Sequence, residues 1–197
     1  MILAVILAAG AGRRIGGPKA LLRIGHQSFL AHAASLFRRP GIDAVVAVVG
    51  HQAERVLVEA GLPPEVRAMV NPDPDAGMLG SVHLGLDAAE ARGAGAVLIH
   101  PVDHPLVAPA TIDRVVEALL GGAMIAVPSH QDRRGHPAGF ARQTWPALRA
   151  APAEQGAKVV LRQHPEWIRH VLGDAGCRQG IDTADDYRRL LGERPPK

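Results

Sequence analysis

Cysteine is almost absent from this chain, since Cys177 is the only one among 197 residues. A lone cysteine excludes an intrachain disulfide and makes a reducing cytoplasm the expected setting. We interpret Cys177 as an ordinary small residue rather than as a nucleophile. Aromatic residues are also scarce, at 3% of the sequence, and leave little material for stacking the bases of a nucleic acid.

Long apolar runs and blocks of like charge are missing as well. No segment approaches the roughly 18 consecutive apolar residues of a membrane span. The apolar start of the chain has no preceding lysine or arginine, so we interpret it as a strand and not as a signal peptide. The net charge is only +3 despite a pI of about 9.6, and the arginines are interspersed with acids. The sequence therefore predicts neither a nucleic-acid partner nor a membrane partner.

What the chain does have is a regular alternation of apolar and amphipathic segments. Apolar residues make up 47% of the sequence and charged residues 21%, as in a globular protein. The length predicts a single domain over residues 1–192, followed by a loose tail at 193–197. Strands are expected at Ile2–Ala9, Ala44–Val49, Val66–Val70, Ala96–Ile99, Met124–Val127 and Trp167–Leu172, and helices at Ser28–Arg39, Gln52–Ala60, Ser81–Arg92, Thr111–Leu120, Gln155–Gln163 and Asp185–Leu191.

Strands with apolar residues at consecutive positions, separated by helices, indicate an α/β fold. We expect a Rossmann-like, doubly wound and mainly parallel sheet that is covered on both faces. Ligands of such folds bind beyond the carboxyl ends of the strands. The chemically interesting residues fall there: Gly10 to Lys19 follow the first strand, Asn71 the third and Asp103 the next.

The loop after the first strand is the most informative segment, and it reads LAAGAGRRIGGPK from Leu7 to Lys19. Glycines such as Gly10 and Gly12 let backbone N–H groups surround an anion, and Arg13 and Lys19 supply positive charge. A P-loop is excluded because Ala20, not serine or threonine, follows Lys19. A dinucleotide fingerprint is excluded because the third glycine falls one residue late. The loop predicts a cradle for a triphosphate.

This loop resembles the L-A-A-G-x-G-x-R-x-G-x-x-K-x-L-L pattern of the MobA-like transferases, especially the molybdenum cofactor cytidylyltransferases. The resemblance extends to Asn71, to the G-M-x-x-S segment that ends at Ser81, and to the motifs P-V-D-H-P, R-G-H-P and I-D-T. It implies a nucleotidyltransferase fold and activity. It also implies a nucleotide site formed by Leu7, Ala8, Ala9, Gly10, Gly12, Arg13, Lys19, Asn71 and Ser81, with Arg13, Lys19 and Asp103 as catalytic residues.

The same resemblance implies a Mg²⁺ site. Asp103 stands between two prolines after a buried strand, where the family holds its metal. Asp182 matches the second metal ligand, although Gly180 replaces the first aspartate of that motif. An alternative stays open for the second site, because Asp182 or Thr183 before a helix is also an ordinary N-cap.

The acceptor is expected to contact His104 and the segment Gly135, His136 and Pro137. CTP with molybdopterin is the favoured substrate pair, because Ala9 and Ala20 differ from the residues of the guanylyl-transferring relatives. A molybdoenzyme or its chaperone is the partner that this product implies.

Three alternatives remain at this point. The first is a guanylyl, sugar-phosphate or alditol-phosphate transferase of the same fold. The second is a non-catalytic nucleotide- or cofactor-binding module, suggested by Gly180 and by Leu79-Gly80. The third is a zinc hydrolase that uses His100, Asp103, His104 and His136, although it leaves Arg13 and Lys19 unexplained.

Overall fold

The fold is seen in a computed structural model that describes residues 1–153, 156–192 and 195. The strands are β1 (Ile2–Ala8), β2 (Arg23–Ile24), β3 (Gln27–Ser28), β4 (Ala44–Val49), β5 (Arg67–Val70), β6 (Ala96–Pro101), β7 (Ile125–His130), β8 (Arg133–Arg134), β9 (Ala138–Ala141) and β10 (Ile168–Leu172). The helices are α1 (Phe29–Leu36), α2 (Ala53–Glu59), α3 (Met78–Ala91), α4 (Pro109–Leu120), α5 (Trp145–Ala150), α6 (Lys158–Gln163) and α7 (Ala184–Leu191). Gln155, the predicted start of the helix at α6, and the tail at 193–197 except Pro195 lie outside the described residues.

The main sheet has the strand order β10-β7-β9-β6-β1-β4-β5, with the short β8 paired to β7. The pairs β1–β4, β1–β6, β4–β5 and β7–β10 are parallel. The predicted α/β fold with a mainly parallel sheet is confirmed. The short β2 and β3 form a separate antiparallel pair.

The centre of the fold is β1, whose seven residues are all buried. Alternate side chains of a strand point to opposite faces of the sheet. Ile2, Ala4 and Ile6 pack into the layer that contains residues of α1, α4 and α7, whereas Leu3 and Val5 pack into the layer that contains residues of α3, α5 and α6. Burial on both faces explains why this strand is a continuous apolar run.

The parallel register brings three loops to one edge of the sheet. Leu7 in β1 lies opposite Val48 in β4 and Pro101 in β6. The loop after β4 is held to β1, since the N–H of His51 donates to the carbonyl of Ala9 at 3.1 Å. The loops that follow β1, β4 and β6 therefore open side by side.

Strand β9, which runs antiparallel between β6 and β7, was not predicted from the sequence. Its four residues show no apolar–polar alternation, and Gly139 within it faces α4. A Cβ on Gly139 would lie 2.7 Å from Leu119 Cδ1, so the helix packs directly on the strand backbone. α5 was not predicted either.

Helix α3 begins at Met78, three residues before the predicted start at Ser81. Gly77 adopts φ 105° immediately before it, a conformation that glycine alone adopts readily. Among the described residues, no helix is both long and apolar enough to cross a membrane.

Close contact between α3 and β1 generates a stability prediction. A Cβ on Gly85 would lie 2.5 Å from Val5 Cγ1, whereas a Cβ on Gly80 meets only ordinary contacts at 3.5 Å. We expect Gly85→Ala to lower the free energy of unfolding by about 1–3 kcal/mol through overpacking, measured by urea denaturation. Gly80→Ala in the same helix should leave stability equal or raise it by up to about 1 kcal/mol. Equal effects of the two substitutions would contradict this packing.

Candidate active site

The glycine-rich loop has a conformation that directs Lys19 inward. The carbonyl of Gly12 accepts hydrogen bonds from the N–H groups of Ile15, Gly16 and Gly17 at 3.0–3.2 Å. Gly12 has φ +61°, and a Cβ there would lie 1.8 Å from the carbonyl oxygen of Gly17. Glycine is therefore required at this position for the loop to close. The loop ends in a short 3₁₀ turn, Lys19–Leu21.

The ammonium of Lys19 joins two carboxylates from distant parts of the chain. Its Nζ donates to Asp103 Oδ2 at 2.6 Å and also to Asp182 Oδ1. The side chains of Lys19 and Asp103 are only 17% and 21% exposed. Burial opposes the charge on Lys19, but the two carboxylates outweigh it and raise the pKa of the ammonium. Loops from three parts of the fold thus converge on one cation.

Asp103 follows β6 and is held on several sides. Its Oδ1 lies 2.9 Å from Nδ1 of His104, and its backbone carbonyl accepts from the N–H of Ile181 at 2.9 Å. Burial favours the neutral acid, but His104 and the Lys19 ammonium together hold the pKa of Asp103 well below its ordinary value. Asp103 is therefore a carboxylate across the physiological range.

Asp182 lies beside the N-terminus of α7 without capping it. Thr183 is the N-cap: its side chain accepts from the N–H of Asp186, and the side chain of Asp186 accepts from the N–H of Thr183. This reciprocal arrangement is a capping box. Of the two N-cap candidates in the sequence, Thr183 is the one that caps α7. The carboxylate of Asp182 contacts Lys19 instead.

The two adjacent arginines of the loop diverge. Arg13 is 79% exposed and reaches Asp75 at 3.4 Å, whereas Arg14 approaches Asp182 Oδ1 at 3.2 Å. Arg13 was the predicted catalytic residue, whereas Arg14 was not predicted. The spacing in the family pattern held the signal, because its arginine stands two positions after the second glycine, and that position is Arg14. The catalytic role of Arg13 stays a prediction.

Asn71, directly after β5, and Ser81, in the first turn of α3, form a buried pair. Asn71 Nδ2 donates to Ser81 Oγ at 3.0 Å, and Asn71 Oδ1 accepts from the N–H of Asp73 at 3.0 Å. Both polar ends of the Asn71 side chain are thus used within the protein. Direct contact of Asn71 with a nucleotide stays a prediction, and its observed role is to fix Ser81.

Two cavities meet at the carboxylates. The smaller, about 340 Å³, is lined by Leu7, Ala8, Ala9, Gly10, Lys19, Pro74, Gly77, Met78, Ser81, Pro101, Val102, Asp103 and Asp182. The larger, about 850 Å³, shares Gly77, Met78, Pro101, Asp103 and Asp182 with it. Gly12, Arg13 and Asn71 do not line either cavity. The two cavities therefore form one cleft with Asp103 and Asp182 at their border.

The larger cavity has an apolar wall with a few polar groups. Val82, Ile99, Phe140 and Leu161 are among its apolar residues, and His104, His136 and Lys158 line it too. Lys158 was not predicted as a site residue, because it lies in none of the sequence motifs.

The R-G-H-P segment reaches this cavity through His136. The N–H of His136 donates to the carbonyl of Cys177 at 2.7 Å. Gly135 packs closely on Cys177, since a Cβ added to this glycine would lie 2.5 Å from the same carbonyl oxygen. Pro137 follows as a buried residue. Burial and the nearby His104 lower the pKa of His136 to about 3, so its ring is neutral. Its Nδ1 is buried and has no hydrogen-bond partner within the described part of the chain.

The zinc alternative finds no support in this geometry. The rings of His104 and His136 pack edge to face with centroids 4.8 Å apart. No group of three or more histidine, cysteine, aspartate or glutamate side chains in residues 1–153 and 156–192 is arranged to hold a metal.

Comparison with known proteins identifies relatives over nearly the whole chain. Residues 4–167 match the model of the MobA-like NTP transferase domain. The chain is 36% identical over 200 residues to "Nicotine blue oxidoreductase" of Paenarthrobacter nicotinovorans, with 96% of each chain covered. It is 36% identical over 185 residues to "Bifunctional protein GlmU" of Agrobacterium fabrum, of which it spans only 38%.

Solved structures show the same fold. The crystal structure of Rv0371c from Mycobacterium tuberculosis H37Rv superimposes with a TM-score of 0.83 at 30% identity, covering 98% of this chain and 97% of that one. A second structure of Rv0371c, a complex with manganese, gives a TM-score of 0.78 at 29% identity and covers 98% of both chains.

The depressed pKa of Asp103 generates a prediction for stability against pH. A carboxyl whose folded pKa lies below its unfolded value stabilises the fold above about pH 4, and this contribution is lost as the pH falls further toward the folded pKa. We expect Asp103→Asn to lower the free energy of unfolding at neutral pH, and the difference from the parent to shrink below about pH 4. Urea denaturation over this pH range measures both quantities.

The exposed Asp185 provides a matched control, since its side chain is 84% exposed and forms an ion pair with Arg188 in the same helix. Asp185→Asn should change stability by less than about 1 kcal/mol at any pH. A deficit of Asp103→Asn that stays constant through the acid range would contradict the prediction.

Proposed function

This chain belongs to the MobA-like NTP transferase family, and we propose that it transfers CMP from CTP to a phosphorylated acceptor, with release of pyrophosphate. The nucleotidyltransferase class follows from the family. The nucleotide and the acceptor, for which molybdopterin is our choice, are the proposal. One observation carries it: Lys19, Asp103 and Asp182 meet where a small cavity beside the glycine-rich loop opens into a larger apolar one.

The smaller cavity suits the triphosphate. Gly10 and Lys19 line it, so backbone N–H groups and one ammonium are available to phosphate oxygens. The guanidinium of Arg14 approaches the same oxygen of Asp182 as the Lys19 ammonium does. These groups would hold the nucleotide and stabilise the charge that develops on the leaving pyrophosphate. An acceptor phosphate is already a nucleophile, so attack on the α-phosphorus requires no covalent enzyme intermediate.

Magnesium is the cofactor that we propose for this site. Asp103 and Asp182 offer hard oxygen donors and already share one cation, the Lys19 ammonium. Mg²⁺ is commonly bound by one or two carboxylates together with substrate phosphates, so the pair fits such an ion. When bound, Mg²⁺ would neutralise charge on the phosphates. The manganese complex of Rv0371c, a protein of the same fold, supports our choice of a divalent cation.

The larger cavity suits an acceptor with a flat ring and polar groups at its edge. The neutral ring of His136 presents a buried Nδ1 without a partner among the described residues, and Lys158 provides a positive charge on the same wall. A pterin ring could pack its flat faces on the apolar wall and offer polar groups of its edge to His136, and its phosphate side chain could pair with Lys158. A molybdoenzyme or its chaperone would then receive the product in the cytoplasm.

A redox function is the second candidate, because a relative matched over 96% of the chain is named an oxidoreductase. The sole cysteine, Cys177, offers no dithiol, and burial raises the pKa of its thiol to about 11. A redox reaction would therefore need a bound electron carrier. Incubation with nicotine blue and reduced nicotinamide cofactors, followed by the dye's absorbance, tests this candidate directly.

Nucleotide choice is tested by thermal shift with CTP, GTP, ATP and UTP, each with and without Mg²⁺. We expect a Mg²⁺-dependent stabilisation that is largest with CTP, amounting to about 2.7 kcal/mol at a concentration of one hundred times Kd. A preference for GTP would instead assign the chain to guanylyl transfer. Binding of every nucleotide without pyrophosphate release, in the presence of molybdopterin, would favour the non-catalytic module.

Removal of the Lys19 charge tests the site itself. We expect Lys19→Ala to lower kcat for pyrophosphate release, with CTP and molybdopterin, by roughly a hundred- to a thousandfold, as for loss of one transition-state donor. Near-normal turnover would contradict the assigned mechanism.

The two arginines supply a matched comparison for that assay. Arg14→Ala should reduce kcat more than Arg13→Ala, because Arg14 contacts Asp182 whereas the exposed Arg13 contacts Asp75. A larger loss of kcat in Arg13→Ala than in Arg14→Ala would instead support Arg13 as the catalytic arginine.

A further inference from the structure

The two carboxylates of the site are paired with cations of the protein itself. Asp182 Oδ1 contacts both Lys19 and Arg14, and Asp103 Oδ2 contacts Lys19. The other oxygen of Asp103 lies 2.9 Å from Nδ1 of His104. Two negative charges thus face two permanent positive charges, with Lys19 bonded to both carboxylates.

This arrangement opposes entry of a free divalent cation. The ion would need carboxylate oxygens that Lys19 now occupies, and it would stand within a few ångströms of an ammonium in a partly buried site, where repulsion between like charges is screened less than in water. Lys19 must leave the carboxylates, and the partner that it gains must compensate for the two ion pairs that it loses.

A triphosphate is the partner that the site provides. Lys19, Asp103 and Asp182 line the same cavity as Gly10, so an ammonium leaving the carboxylates remains beside the phosphate cradle. Arg14 belongs to the same loop and contacts the same carboxylate. Phosphate oxygens would therefore replace the carboxylate oxygens as partners of these cations.

We propose that Lys19 is the resident counter-ion of Asp103 and Asp182, and that it makes the site select a metal–triphosphate complex over the free metal. This inference rests on the proposed function, which assigns the two aspartates as metal ligands. Lys19 then has a second role besides transition-state stabilisation, as a specificity-determining residue. The metal and the nucleotide then bind with positive coupling. The nucleotide draws Lys19 away from the carboxylates that the metal needs, and the metal occupies the carboxylates that would otherwise hold Lys19 back from the nucleotide.

Binding of Mn²⁺ alone, without nucleotide, tests this role without an activity measurement. Free Mn²⁺ is quantified by electron paramagnetic resonance during titration of the full chain. We expect K19Q to bind Mn²⁺ more tightly than the parent by about tenfold or more, since the competing charge is gone. K19R, which keeps a cation at the position, should stay close to the parent. R38Q is the matched control, because it removes a cation that pairs with Glu65 and lines neither cavity, and it should leave Mn²⁺ affinity unchanged.

The site of the gained affinity is checked with the double variant K19Q/D182N, which should lose it. K19A serves as a second neutral variant if K19Q does not fold, as judged by circular dichroism. Equal or weaker Mn²⁺ binding by the folded neutral variant overturns the counter-ion role and leaves the proposed transferase intact. A gain that persists in K19Q/D182N also overturns the role, because the metal would then lie elsewhere. Pyrophosphate release with CTP and molybdopterin is measured on the parent separately, so failure of the proposed function is recognised independently.

Discussion

The ion cluster of Lys19 with Asp103 and Asp182 is the interaction on which the site depends. Lys19 lies 84 residues from Asp103 and 163 residues from Asp182 along the chain, so no local structure brings them together. The parallel pairing of β1 with β6 places the first two at one sheet edge. The hydrogen bond from Ile181 to the backbone of Asp103 adds the third. The cluster therefore depends on the order of the strands, because a different order would separate its charges.

Elements buried on both faces were the most predictable part of the fold. The strand at Ala44–Val49 was predicted to the residue, and β1 to within one, because a continuous apolar run of this length has few other stable placements. The antiparallel β9 was not predicted, since its identity comes from its neighbours: β6 and β7 supply hydrogen bonds on both sides, and α4 packs on Gly139. Tertiary context of this kind leaves little trace in four residues.

The sequence predicted where candidate site residues lie better than where their side chains point. Asp103 lies after β6 at the expected edge of the sheet, because strand ends in parallel sheets meet at one edge, and its role stays a prediction. Arg13 and Arg14 are adjacent in the loop, yet their side chains diverge to Asp75 and Asp182. The turn that separates them depends on the positive φ of Gly12 and the three hydrogen bonds to its carbonyl. Neither periodicity nor composition encodes such a turn.

The two sides of the cleft differ in how much sequence change they tolerate. On the side of the glycine-rich loop, Gly12 tolerates no side chain, because a Cβ there would overlap the carbonyl of Gly17. On the other side, the wall consists of side chains from α3, β9 and α6, such as Val82, Phe140 and Leu161. Substitutions in this wall would change the shape of the larger cavity without altering the backbone of the loop. In the function that we propose, the loop side holds the nucleotide and the larger cavity holds the acceptor, so the choice of acceptor would depend on the larger cavity, whereas Asp103 and Asp182 at its border would hold the metal.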